Sequence, residues 1–95
     1  MAKSIMQSAK ESCYICGSHV WLEEHHIFGA ANRKLSEKYG LKVWLCHGCH
    51  NTPPIGVHHN AVLNNHLKAE AQRKAMERYG WTVDKFRKVF GKNYL

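Results

Sequence analysis

Apolar residues enter this chain in short bursts separated by glycine, histidine and charge, and the bursts have two periods. Val20-Trp21-Leu22 and Ile27-Phe28 flank the polar stretch Glu23-Glu24-His25-His26. β-Branched and aromatic residues suit pleated backbone, so 19–28 is expected as a strand or a short hairpin. Gly29-Ala30-Ala31 is a turn. Asn32 then stands where a cap would start a short helix through Tyr39, and Gly40 where a left-handed residue would close it. Lys42-Val43-Trp44-Leu45 reads as a second short strand. Two consecutive prolines make Thr52-Pro53-Pro54-Ile55-Gly56 a loop, because proline donates no N–H and clashes inside a helix.

Beyond the prolines the period becomes helical. Leu63, Leu67, Ala71 and Ala75 fall four apart on one face of a helix that starts near Val57 or Asn60 and runs to Tyr79, before Gly80. Thr82 caps a last helix carrying Val83, Phe86, Val89 and Phe90, closed by Gly91. Trp81 and Phe86 flank that cap at the spacing of a hydrophobic staple. Ahead of Cys13 the pattern is weak, with Ile5, Met6 and Ala9 enough for one frayed turn. The pattern as a whole predicts an α+β domain over 13–95 with additional C-terminal helices, preceded by an N-terminal extension over 1–12.

Length sharpens this picture. A chain of 95 residues buries only about 60–68 % of its surface, so a metal staple would add much to its stability. No apolar run reaches the roughly 18 residues of a membrane span, and the first residues lack the core of a signal peptide. A cytoplasmic protein with no membrane partner is the expectation. The net charge of +7 points to a polyanionic partner, with nucleic acid the usual one.

The four cysteines form two Cys-x-x-Cys pairs, Cys13/Cys16 and Cys46/Cys49. In a reducing compartment disulfides are disfavoured. Paired knuckles of this kind build a closed tetrahedral thiolate site for structural Zn2+. Such a site holds structure and leaves no open position for chemistry.

All eight histidines lie between His19 and His66. Successive strand residues point to opposite faces, so His25 and His26 cannot both bind one ion. One is free to be a ligand while the other acts as a base. His50 directly follows the last zinc cysteine, and knuckles that share an ion hold it near the His25-His26 strand. His58 and His59 open the helical segment after the loop. This division of labour fits metal-dependent phosphodiester hydrolysis, in which a cation steadies phosphate charge and a neutral imidazole deprotonates water. His19, His47 and His66 read as surface or core histidines.

These residues resemble the HNH, or ββα-metal, nuclease superfamily: Cys-x-x-Cys, a strand ending His25-His26-Ile27, then Leu45-Cys46-x-x-Cys49-His50. His25-His26-Ile27-Phe28-Gly29 followed by Asn32-Arg33-Lys34-Leu35-Ser36-Glu37-Lys38-Tyr39-Gly40-Leu41 is similar to the phage recombination-enhancement nucleases, RecA-dependent DNA endonucleases, over roughly residues 13–80. The resemblance implies a ββα-metal fold, DNA as partner, a recombination protein such as RecA beside it, and a phage-encoded chain in a bacterial host. It implies His26 as the residue that activates water, and Asn32 as the residue that orients it. His25 and His50 are then ligands of a catalytic Mg2+, Mn2+ or Zn2+. The third ligand falls at His58, with His59 the alternative. The proline loop spaces His50 from His58 beyond the i, i+4 interval of some relatives, and no long basic arm precedes Cys13. Glu23, two residues before His25, reads equally as a residue that orients the site or a substrate phosphate and as a solvated strand-end carboxylate.

Between Lys68 and Lys92 stand eight lysines and arginines against Glu70, Glu77 and Asp84. Arg73, Lys74 and Arg78, with Arg33, Lys34 and Lys38, are expected to line a phosphate track, which positions a nucleic acid without reading its sequence. The alternative is a non-catalytic zinc module that binds nucleic acid or a protein partner. No heptad or other interface pattern distinguishes a monomer from a dimer.

Overall fold

The computed structural model describes residues 4–7, 12–52 and 56–95. Ala9 and Pro53-Pro54-Ile55, with the turn and loop expected there, lie outside them. The fold is α+β: a two-stranded antiparallel sheet with helices. Strand β1, Leu22–His26, pairs with β2, Lys42–Cys46, setting Leu22 opposite Cys46 and His26 opposite Lys42. The expected 19–28 segment is therefore a shorter single strand. Trp21, at φ 52, takes left-handed backbone, and on one side the strand ends beyond its carbonyl, which accepts from His47 N–H at 3.1 Å. On the other side Phe28 N–H turns to the Ser36 hydroxyl at 3.0 Å.

The outer edge of β2 is not left open. Ser4 hydroxyl donates to the Lys42 carbonyl, Trp44 N–H donates to Gln7 Oε1 at 2.7 Å, and Tyr14 N–H donates to the Trp44 carbonyl at 2.8 Å. Residues 4–7 thus pack against the sheet, which satisfies backbone groups that an exposed edge would offer to another chain.

Between the strands, a 3-10 turn at Ala30–Asn32 leads into α1, Arg33–Tyr39, which Gly40 closes at φ 73. Asn32 stands at the cap position but makes no capping bond. Its backbone, at φ −100 and ψ 6, lacks the extended geometry a capping side chain needs. Its amide instead donates to the Phe90 carbonyl at 2.9 Å, tying the start of α1 to the C-terminal helix.

Past β2 the second knuckle continues into a five-residue helix, α2, His47–Asn51. A 3-10 turn, Val57–His59, precedes α3, Ala61–Tyr79, so the expected long helix is split. Asn60 makes the break: its backbone is extended, and its side chain caps α3 by accepting from Leu63 N–H at 3.1 Å. Thr82 caps α4, Val83–Phe90, by accepting from Lys85 N–H at 3.2 Å.

The core lies where the sheet and its flanks meet α3 and α4. Ile27, Phe28, Leu41, Val43 and Leu45 pack there with Leu67, Ala71, Ala75, Phe86 and Phe90, all buried. The Phe28 and Phe90 rings lie 4.7 Å apart and Trp81 reaches Phe86 at 6.5 Å. Burying each such ring stabilises the fold by about 1.5–3 kcal/mol. Gln72 is fully buried yet satisfied: it accepts from Tyr94 N–H at 2.7 Å and donates to Asn93 at 2.8 Å, pinning the C-terminus to α3. No helix among the described residues is long and apolar enough to cross a membrane.

Candidate metal centres

The first centre joins the two knuckles. In the first, Gly17 at φ 79 lets its N–H bond the Cys13 carbonyl at 2.9 Å, a backbone conformation that a side chain resists. Cys16 N–H approaches Cys13 Sγ, and Cys49 N–H approaches Cys46 Sγ, both at 3.5 Å. Each knuckle thus aims its amides at its own sulfur. The four Sγ atoms lie within 4.8 Å of one another, and Cys16 and Cys46 are 3.6 Å apart. A tetrahedron with Zn–S bonds of about 2.3 Å has edges of about 3.8 Å. The four cysteines therefore could hold one structural metal ion.

The thiols of this centre differ in acidity. Burial opposes ionisation of Cys13, but hydrogen bonds from backbone groups, Cys16 first, outweigh it and bring that thiol down to about 6. Burial, followed by the neighbouring sulfurs, pushes Cys49 up. Thiolates this close would repel, and a bound cation would relieve the repulsion.

The second centre is built on β1. Strand alternation sends Glu23 and His25 to one face and Glu24 and His26 to the other. On the first face His25, His50 and His58 bring one ring nitrogen each to within 4.8 Å of the others. His50 Nε2 and His58 Nε2 are 2.9 Å apart, close to the roughly 3 Å between two imidazoles that share an ion with bonds of about 2.0–2.1 Å. His25 is only 5 % exposed, and its Nε2 is buried with no hydrogen-bond partner. A buried unpaired ring nitrogen is costly unless a ligand satisfies it.

Burial, followed by the charges His50 and His58 would carry, pushes His25 down to about 3. Burial also lowers His58, with His50 the next cause. Both rings are thus neutral, as ligands must be. His50 Nδ1 sits 2.9 Å from Glu23 Oε1, and His47 Nδ1 sits 3.3 Å from Glu23 Oε2. The His50 contact is chiefly what holds the Glu23 carboxyl below its ordinary range. Glu23 accordingly favours the proton on His50 Nδ1, which leaves Nε2 bare and able to act as a ligand.

His58 reaches this cluster by way of the loop. Gly56 N–H bonds the Thr52 carbonyl at 2.7 Å, bringing the chain back against α2. A Cβ on Gly56 would stand 2.7 Å from Thr52 N and 2.9 Å from Asn51 backbone atoms. The close approach needs glycine. His59, exposed, is not part of the cluster.

On the opposite face His26 Nε2 lies 3.3 Å from Glu37 Oε2 and 3.6 Å from Glu24 Oε1. Lys42, across the sheet from His26, places Nζ 2.6 Å from that same Glu37 oxygen and 3.5 Å from Glu24 Oε2. Burial alone would lower Lys42, but the hydrogen bond to Glu37, the two carboxylate charges and the Glu24 contact together outweigh it and raise the ammonium above its ordinary range. The bond between Lys42 and Glu37 is also the main reason that the Glu37 carboxyl lies below its usual range. The residues seated against the expected base are thus Glu37 and Glu24. Asn32, expected to orient His26, spends its amide on Phe90.

A hollow lined by Glu24, His25, His26, Gly29, Arg33, His50 and His58 opens over both faces of the strand end. An adjoining one adds Asn64 and Lys68. Of the expected phosphate track only Arg33 borders these hollows. Lys74 and Arg78 line a separate one with Ile5 and Glu77, and Lys38 lies over the Tyr39 ring at 5.3 Å. Lys34 and Arg73 are exposed on α1 and α3 and border none of these hollows. Sequence reasoning missed Glu37 and Lys68. The i, i+2 spacing could have found Glu24, but only tertiary packing brings Glu37 to His26.

No family model, curated protein or solved structure matches this chain.

Proposed function

We propose that this chain is a metal-dependent endonuclease of the HNH type that hydrolyses DNA phosphodiester bonds, with a zinc ion on its four cysteines as the frame. The observation that carries the reading is the split at the end of β1. His25 joins His50 and His58 in a cluster of ligand geometry on one face, and His26 stands on the other beside the same hollow.

A divalent ion on His25, His50 and His58 would supply positive charge to a phosphate oxygen and to the departing alkoxide. Three imidazoles suit Zn2+ and other first-row ions better than Mg2+, which prefers oxygen donors. His26 accepts the proton of the attacking water as the new P–O bond forms and the bond to the leaving oxygen breaks. Arg33 and Lys68 border the hollow and neutralise the phosphates flanking the scissile bond. Glu23 keeps His50 turned toward the ion.

Nicking of supercoiled plasmid with Mg2+, Mn2+ or Zn2+ tests the reading. His26→Ala should lower the nicking rate by about 10²–10⁴-fold while folding and DNA affinity persist. A zinc-loaded wild type that binds DNA but nicks none with any of the three ions would leave a non-catalytic nucleic-acid module.

A further inference from the structure

Lys42, Glu37 and Glu24 close on His26 in a connected polar cluster, largely sheltered from solvent, and the reaction above gives these three no role. The His26 and Lys42 side chains are 11 % and 9 % exposed, and the two carboxylates 26 % and 27 %. We propose that Glu37 is a positioning residue for His26, holding its proton on Nε2 so that Nδ1 is the atom that takes a proton from water. The inference rests on the nuclease reading for the purpose of that proton, and on geometry alone for its place.

A neutral imidazole carries one N–H and one bare nitrogen. The nitrogen that faces Glu37 and Glu24 meets two ionised carboxylates, which only accept. Nε2 must therefore be the donor, and Nδ1 is left bare. With the proton on Nδ1 instead, a lone pair would face carboxylate oxygens at 3.3 and 3.6 Å. Lys42 completes the device from the opposing strand. Its ammonium fixes the Glu37 oxygen that His26 also uses, and helix α1 brings Glu37 in over the sheet. The carboxylate is held by two partners and cannot swing away with solvent. The three side chains Glu24, His26 and Glu37 also have the spacing to ligate an ion. The Lys42 ammonium, 2.6 Å from Glu37, already takes the place of that cation.

The test uses the full zinc-loaded chain. Long-range proton–nitrogen NMR at alkaline pH, where imidazole is neutral, reports which nitrogen of His26 bears the proton, with His26→Ala assigning the signal. Wild type should show the Nε2–H form, and Glu37→Ala a mixture of both. The nicking kcat of Glu37→Ala should fall about 10–100-fold, the range for removing the partner that orients an imidazole, with KM for plasmid and the count of bound metals unchanged.

Should Glu37→Ala unfold because buried Lys42 keeps only its 3.5 Å contact to Glu24, Glu37→Ala/Lys42→Met keeps the comparison. The Lys42→Met single variant, which retains Glu37, should keep the Nε2–H form. A His26 that stays Nε2–H without Glu37, a kcat within about twofold of wild type, or a metal lost from the count with Glu37 would each overturn the proposal. If wild type nicks nothing, the nuclease reading fails by itself, and the NMR comparison still decides whether Glu37 sets the tautomer.

Discussion

Burial keeps His25 neutral, and that has a measurable consequence. Its value of about 3 in the fold lies below the 6.5 of an exposed imidazole. Between these values the unfolded chain binds a proton that the folded chain refuses. The stability that goes with neutral His25 is therefore complete above pH 6.5 and lost as pH falls toward 3. In buffer without added divalent metal, the unfolding free-energy difference between wild type and His25→Leu should shift against wild type on acidification. The slope should reach up to about 1.4 kcal/mol per pH unit; urea titrations at stepped pH would measure it, and a flat difference would show His25 to be protonated in the fold. Asn32 is the second residue whose place matters. Asn32→Ala removes one hydrogen bond to the Phe90 carbonyl and should cost about 0.5–1.5 kcal/mol. As that bond joins α1 to α4 and touches neither histidine face, metal content should not change.

At the scale of elements, the strand β1 sorts chemistry by parity. Glu23 and His25 serve one face, Glu24 and His26 the other, and a one-residue slip in register would exchange them. This much was legible from alternation alone. What could not be read was which distant side chains arrive at each face. Glu37 reaches His26 because α1 folds back over the sheet, and Lys42 because it stands opposite in β2. His58 arrives by the tight return at Gly56. Gly56→Ala forces a Cβ into the backbone of Asn51 and Thr52, a strain of about 1–3 kcal/mol. It should lower the thermal midpoint and weaken metal binding at the histidine centre more than at the cysteine centre. Calorimetric titration of Zn2+ into protein already loaded at one site separates the two. Equal weakening at both would mean that the return places the cysteines as well.

For the molecule as a whole, the proposed function divides the two candidate centres between frame and chemistry. Cys46, Cys49 and His50 are near neighbours in sequence, so an ion on the cysteines also locates His50 beside His25. Removing that ion with a strong chelator should unfold the domain, since structural zinc contributes about 10–16 kcal/mol in zinc-finger peptides. Circular dichroism with parallel metal analysis would show it, and a folded metal-free chain would refute it. DNA affinity should fall with salt at a slope set by the phosphates neutralised. Arg33→Ala and Lys68→Ala, beside the histidine hollow, should each reduce that slope by about 1, whereas Lys74→Ala, on the other hollow, should change it less.

Local chemistry determined a good part of this. The Cys-x-x-Cys pairs, the opposed His25 and His26, the caps at Thr82 and Gly80 and the helical face of Leu67, Ala71 and Ala75 depend on near neighbours, and near neighbours are what a sequence displays. Tertiary structure alone decided that Asn32 holds Phe90 and that Glu37 and Lys42 close on His26. Those contacts join residues from different elements, and their partners are selected by packing around one shared core rather than by spacing along the chain.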